Sequence, residues 1–251
     1  MKKRIDILLT EAGHAPTRAR AQALLLSGNV LVNDEPVTKA GQLVDHSASI
    51  RIRGADHPYV SRGGIKLAAA LDAFKIDVTG KTGLDIGAST GGFTQVLLLR
   101  GAQKIHAVDV GHSQLAWKIR QDSRVAVYEK TNARNMAYET IGCRVDIIVI
   151  DVSFISLEKV LPGLIQFATP ETDWITLIKP QFEVGREKVG QGGLVRSEDD
   201  RQAVVTRITS FGETLGLLRQ GLVESPITGT EGNKEFLAHW KRSGNRSSVA
   251  G

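Results

Sequence analysis

Lys179 closes the apolar run 175–178 in "WITLIKPQFEVG", and Pro180 follows it at once, so a charged side chain ends a strand where a proline stops its continuation. A solvated charge at a strand end is the ordinary reading of a lone lysine. Three other residues change it. Asp151 ends "DIIVID" in the same manner, Lys66 lies in "SRGGIKL", and Glu235 lies in "GNKEFLAHW". In an open α/β sheet, ligands bind outside the carboxyl ends of the strands, which places Asp151 and Lys179 on one rim with Asp85 and Asp109. Lys66 starts the helix that enters this region. Glu235 begins a last strand, and if that strand runs antiparallel its start lies on the same rim. Amines and carboxylates converging there have the types needed to orient a weak acid and to accept its proton.

A second constellation precedes them. "TGLDIGASTGGFTQVLLL" reads as strand, glycine-rich turn and helix, with Gly87, Ser89, Thr90, Gly91, Gly92 and Phe93 in or beside the turn. The spacing Gly87-x-x-x-Gly91-Gly92 is not the dinucleotide fingerprint, which disfavours a nicotinamide dehydrogenase. Asp85 ahead of the turn is poorly placed for a pyrophosphate and suits a cationic group such as a methionine ammonium. Asp109 ends "IHAVD" at roughly the ~20-residue offset where an acid meets ribose hydroxyls. Asn132 in "TNAR" is placed for an adenine edge, and Asp151 borders the same crevice. As a set they indicate S-adenosylmethionine. The competing reading is a glycine turn that serves helix packing alone.

The elements that must hold these residues follow from the pattern. Strands are predicted at about 82–86, 104–109, 125–128, 145–150 and 174–179, with helical segments between them, the alternation of a doubly wound, mostly parallel sheet. Residues 1–53 read as a separate α+β module. A helix over 4–12 stops at Gly13, and Thr17 caps "RARAQALLLS", which Gly28 ends. "NVLVN" and "ASIRIR" alternate as strands about an Asn33-Asp34 turn. "GADHPYVSRGG" reads as a linker over 54–63, residues 64–242 as the second domain, and 243–251 as a disordered polar tail.

Arg18 and Arg20 fall in the first turn of the second helix, where positive charge opposes the helix dipole. An RNA phosphate would be drawn to both arginines and to the free amides there. The 251 residues carry a net charge of +5, compatible with a polyanion, and 41% hydrophobic with 24% charged residues is an ordinary globular balance. Cys143 is the sole cysteine, which excludes an internal disulfide and a zinc site built on cysteines. No stretch approaches the ~18 apolar residues of a membrane span. A soluble, cytoplasmic protein without a membrane partner is expected.

"RIDILL…TRARAQALLLSGNVLVND" resembles the RNA-binding module of ribosomal protein S-four, with Arg4, Asp6, Arg18, Gly28 and Asn33 at matching positions. "PYVSRGGIKL", "LDIGASTGGFT", "AVDVGHSQLAW", "DVSFISL", "LIKPQFEVGRE" and "SPITGTEGNKEF" resemble the TlyA family, known both as hemolysins and as ribosomal RNA methyltransferases. The catalytic part is similar to the wider FtsJ (RrmJ) group of 2′-O-ribose methyltransferases. The resemblance implies a seven-stranded Rossmann-like sheet and a Lys-Asp-Lys-Glu tetrad at Lys66, Asp151, Lys179 and Glu235. It also implies a cytidine acceptor in ribosomal RNA or ribosomal subunits. Thr230 stands where the family pattern leads one to expect proline.

In that chemistry the ribose 2′-hydroxyl loses its proton as it attacks a methyl already activated on a sulfonium, so no metal is expected. Lys179 is assigned as base, with Lys66, Asp151 and Glu235 positioning it and the hydroxyl. Arg4, Arg18, Arg20, Arg62, Phe154, Arg186 and Lys188 are expected on RNA, Phe154 by stacking on a base. Packing of Phe154 against the next helix, and a plain mobile loop around Arg186 and Lys188, are equal readings. A monomer is expected. The alternatives in other classes are a membrane-lytic hemolysin and a non-catalytic RNA-binding assembly factor.

Overall fold

The computed structural model describes residues 2–12, 14–15, 17–26, 28–52, 57–229 and 232–243. The Gly13 helix stop, Arg53 at the end of the first module, residues 54–56 of the expected linker, Thr230 and the tail from 244 lie outside them, as does the side chain of Arg186. Contacts divide the chain into two compact units, Met1–Pro58 and Tyr59–Gly251.

In the first unit, helices α1 (Ile5–Glu11) and α2 (Arg18–Leu26) pack together. Thr17 caps α2 as expected, its hydroxyl accepting from the Arg20 amide at 3.2 Å. Among the described residues this unit has five short strands, whose pairing the alternation did not resolve: β1 (Lys2–Arg4) pairs with β4 (Leu43–Asp45), and β2 (Val30–Val32) pairs with β3 (Glu35–Pro36). The fifth, β5 (Ile50–Ile52), completes the β2 sheet antiparallel. α1 starts at Ile5 because Arg4 is extended and belongs to β1. Ile5, Leu8, Leu9, Ala21, Leu25 and Val30 fill the core between them.

At the centre of that unit is a charge. Asp6 is fully buried and accepts two hydrogen bonds from Arg4 (3.0 and 2.9 Å), one from Arg18 (3.0 Å) and one from Gln22 (3.3 Å). The Arg4 bonds, with those of Arg18 and Gln22, hold its carboxyl well below the usual range against the opposing effect of burial. Arg18 therefore has a partner inside the protein, which the helix-dipole argument did not supply.

The second unit carries α3 (Gly63–Phe74) and then a seven-stranded sheet in the order β11-β12-β10-β9-β6-β7-β8. The strands β6 (Thr82–Ile86), β7 (Lys104–Val108), β8 (Val125–Tyr128), β9 (Val145–Ile150) and β10 (Ala168–Ile178) are parallel. β12 (Phe236–Arg242) runs antiparallel to β10 and to β11 (Leu217–Glu224). β11 was not read from the sequence: "LLRQGLVE" alternates weakly and lies at the sheet edge. The central strands are apolar on both faces because helices cover both. α4 (Gly92–Leu99) and α5 (Trp117–Arg120) follow β6 and β7, while α6 (Leu157–Leu164), α7 (Pro180–Glu183) and α8 (Glu198–Thr214) follow β9 and β10. Tyr59 and Val60, read as linker, pack on this unit, and the Val60 amide donates to Gln95.

The depressed Asp6 carboxyl generates a prediction about the first unit. Its contribution to stability is present above the unfolded-state pKa of ~3.9 and is lost as pH falls through that value toward the lower folded one. Protection factors of the α1 amides, measured by hydrogen exchange in the full chain, are expected to drop below about pH 4. In Asp6→Asn they are expected to be low already at neutral pH and flat with pH. Equal protection in both proteins would show that the cluster contributes nothing.

Candidate active site

Each rim residue is placed by the end of its strand. Asp109, Asp151 and Lys179 are the first residues after β7, β9 and β10, and Pro180 opens α7 at a position where its missing N–H is harmless. Lys66 is in the first turns of α3, and Glu235 immediately precedes β12, whose antiparallel direction returns it to this rim as expected.

The four charges meet as two ion pairs. Lys66 Nζ donates to Glu235 Oε2 at 2.5 Å, both groups being buried. Lys179 Nζ lies 2.6 Å from Asp151 Oδ1 and donates to Ser153 Oγ at 2.9 Å. Gln181, two residues beyond Lys179, donates from Nε2 to Glu235 Oε1 at 3.0 Å. Gln181 and Ser153 were missed in the sequence. Their proximity in sequence to Lys179 and Asp151 was the available signal, but neither residue type is diagnostic by itself.

Two adjoining clefts open beside the pairs and share Gly87, Ser89 and Asp151. The larger, of about 370 Å³, is walled by Asp109, Val110, Asn132, Val152 and Phe154. The smaller, of about 220 Å³, is walled by Arg62, Lys66, Thr90, Gly92, Phe93 and Thr228. Asp109 accepts the Ser89 amide on Oδ2 and the Gly111 amide on Oδ1, both at 2.7 Å, so it also shapes the loops around the cleft. Asn132 Oδ1 accepts from the Arg134 amide at 3.1 Å, which leaves the side-chain NH₂ as the group available to an adenine edge.

Asp85, Gly91, Lys179 and Glu235 are not on either wall, whereas Lys66 and Asp151 are. Asp85 is fully buried, its Oδ2 accepts from Thr94 Oγ1 at 2.6 Å, and its Oδ1 has no hydrogen-bond partner among the described residues. Burial pushes its carboxyl up to about 7, with Asp151 and Asp109 adding repulsion against the Thr94 bond. A buried, under-satisfied carboxylate behind the turn, with two more beside the cleft, fits a cationic ligand in front. The glycines themselves answer to the protein. Gly87, at φ +82°, passes so close to the Asp151 carbonyl that a Cβ would lie 2.2 Å from it, and a Cβ on Gly92 would meet Ser61 Oγ at 2.2 Å.

Phe154 does not pack under the next helix. It is 90% exposed at a left-handed φ of +64°, a conformation that costs a non-glycine residue about 1–3 kcal/mol. Its ring lies 4.8 Å from that of Phe182, over which Lys179 Nζ sits at 5.8 Å. Buried Glu183 clamps the loop that bears it, accepting from Ser156 Oγ at 2.7 Å, the Leu157 amide at 2.8 Å and Arg207 at 3.1 Å. Among the other expected RNA contacts, Arg62 donates to the Thr228 carbonyl at 3.0 Å and Lys188 pairs with Asp200 at 2.7 Å. Arg4, Arg18 and Arg20 lie in the first unit, the first two bonded to Asp6.

Buried ion pairs are seldom the most stable way to fill space, although breaking one is costly. Glu235→Leu alone should therefore lose about 3–5 kcal/mol of stability by stranding Lys66. The double variant Lys66→Met/Glu235→Leu should recover most of it in denaturant titrations. A double variant as unstable as the single one would mean that the pair is a structural staple.

The chain is similar to known proteins over most of its length. Residues 59–242 match the FtsJ-like methyltransferase family, and residues 3–50 match the S4 domain. The 16S/23S rRNA (cytidine-2′-O)-methyltransferase TlyA of Mycobacterium tuberculosis is 44% identical, over 96% of this chain and 90% of its own. Hemolysin A of Brachyspira hyodysenteriae is 40% identical over 94% of this chain and 99% of its own. A solved Streptococcus thermophilus protein that carries the hemolysin name superposes with a TM-score of 0.75 at 41% identity, covering 96% of this chain and 88% of that one. The chain belongs to the FtsJ-like methyltransferase family, and within it to the TlyA group, in which that domain follows an S4 domain.

Proposed function

We propose that the protein methylates a ribose 2′-oxygen of ribosomal RNA, with cytidine as the acceptor and S-adenosylmethionine as the methyl donor. The observation that carries this reading is the pair of lysine–carboxylate contacts, Lys66–Glu235 and Lys179–Asp151, of which Asp151 borders the cleft walled by Asp109 and Asn132 and Lys66 borders the adjoining one. The rRNA cytidine-2′-O-methyltransferase named among the relatives supports the substrate, and the S4 domain supports an RNA partner.

Asp109 and the Asn132 amide would hold the ribose and adenine of the cofactor, and Asp151 and Asp109 would favour its positive charge, which in turn would draw the raised Asp85 carboxyl toward its charged form. When bound, S-adenosylmethionine supplies a methyl group activated by a sulfonium. Lys179, as a neutral amine, takes the 2′-hydroxyl proton, and Asp151 with Ser153 fixes where its nitrogen points. Lys66, held by Glu235, supplies positive charge for the developing alkoxide.

The test uses labelled S-adenosylmethionine with ribosomal subunits or naked RNA, followed by alkaline hydrolysis. An alkali-resistant dinucleotide carrying label supports the reading, and label on a base overturns it. Lys179→Arg keeps the charge but has no accessible neutral form, so its single-turnover rate should fall about a hundredfold or more while cofactor still binds. In the parent that rate should rise with pH. Near-parental methylation by Lys179→Arg would transfer the base role to water.

Phe154→Ala should leave the melting temperature unchanged, since the ring is exposed, and should lower kcat/KM on RNA about tenfold or more by losing a stacking face. An unchanged kcat/KM would remove Phe154 from the RNA site.

A further inference from the structure

Gln181 has a half used side chain. Its NH₂ faces Glu235 Oε1 at 3.0 Å while Glu235 Oε2 is bonded to Lys66. A carboxylate bonded to a lysine only accepts, which fixes the orientation of the amide: nitrogen toward Glu235, oxygen away. That oxygen, Oε1, is buried and has no hydrogen-bond partner among the described residues. A buried acceptor left without a donor is unfavourable, and a ligand that brings a donor removes the penalty. The helix turn that presents it begins at Pro180, directly after Lys179, so Gln181 is bonded to the carboxylate of one ion pair and lies two residues from the lysine of the other.

The nature of the missing donor follows from the substrate class, and here the argument rests on the proposed function. Inside an RNA chain the 3′- and 5′-oxygens of a ribose are esterified, so the sugar has one hydroxyl donor, the 2′-OH. We infer that Gln181 is a positioning residue of the transfer reaction: its NH₂ fixes Glu235 and through it Lys66, and its carbonyl oxygen accepts the 2′-hydroxyl hydrogen of the bound nucleotide. That bond orients the hydroxyl before Lys179 takes the same proton, which leaves Gln181 Oε1 for Lys179 Nζ as the oxygen attacks the methyl carbon and the carbon–sulfur bond breaks. A 2′-deoxynucleotide at the target position cannot satisfy Gln181, so the site selects RNA at the atom it modifies.

The measurement is the affinity of the whole protein, with S-adenosylhomocysteine present, for a target RNA and for the same RNA with one 2′-deoxy residue at the modified position. The parent is expected to prefer the ribonucleotide by about tenfold. Gln181→Met, which fills the same space without polar atoms, is expected to bind both RNAs equally and to turn over slowly. Gln181→Glu keeps an acceptor but faces Glu235 with like charge. It should retain most of the preference while its single-turnover rate falls, a division that a merely structural role would not produce. Should Gln181→Met be unfolded, the Gln181→Glu result decides alone, and loss of the preference there overturns the inference. A Gln181→Met protein that folds and discriminates like the parent also overturns it, with the proposed function intact. If the parent itself methylates no 2′-oxygen, the functional reading falls first and this assignment with it.

Discussion

Parallel strands whose carboxyl ends open on one edge of the sheet are the constraint on which the site depends. Ile86 and Ile150 stand in register across β6 and β9, so Gly87 and Asp151 emerge side by side, while β10 runs two residues past Thr176, the partner of Ile150, before it reaches Lys179. The Asp151 amide donates to the Ile86 carbonyl, extending the ladder one step past the last strand residue, and Gly87 makes room for the Asp151 carbonyl. The charged residues thus inherit their spacing from backbone pairing, which varies less than loop conformation. β12 delivers Glu235 to the level of Lys179 from the opposite direction, through its register of Phe236 against Ile178.

Given that framework, burial of the charges is the second decision. Lys66 and Glu235 are removed from water, and their attraction at 2.5 Å offsets a desolvation cost of several kcal/mol per ion. Packing alone would be as well served by apolar side chains. The charges make sense for a proton-transfer site, where donors and acceptors fixed before reaction need no reorganisation during it. Lys179 is more open, with Ser153 and Asp151 on one side and the Phe182 ring on another.

Phe154 shows the same preference for readiness over comfort. A left-handed backbone and an exposed ring are each unfavourable, and the Glu183 clamp on Ser156 and Leu157 keeps the loop in that shape. Arg207 of α8 completes the clamp, so a helix on the far side of the loop helps to hold an aromatic face toward solvent.

Much of this was legible in the residues themselves. Strict apolar runs such as "DIIVID" and "ITLIK" mark buried parallel strands, and a charge at the end of such a run can only be at a rim. That reasoning located Asp109, Asp151, Lys179 and, through an antiparallel last strand, Glu235. It failed where partners are far apart in sequence. Nothing local in "RIDILL" shows that Asp6 will gather Arg4, Arg18 and Gln22, and nothing in "KPQFE" shows that Gln181 will reach Glu235, 54 residues on. Asp85 illustrates the division most clearly: its place before the turn is written in the sequence, whereas its withdrawal behind the turn onto Thr94 depends on how α4 packs against β6. Element type, and which residues end each buried strand, follow from short-range periodicity, which the chain carries in itself. Which charge meets which is decided only when the sheet closes, because ion pairing and burial are set by neighbours in space.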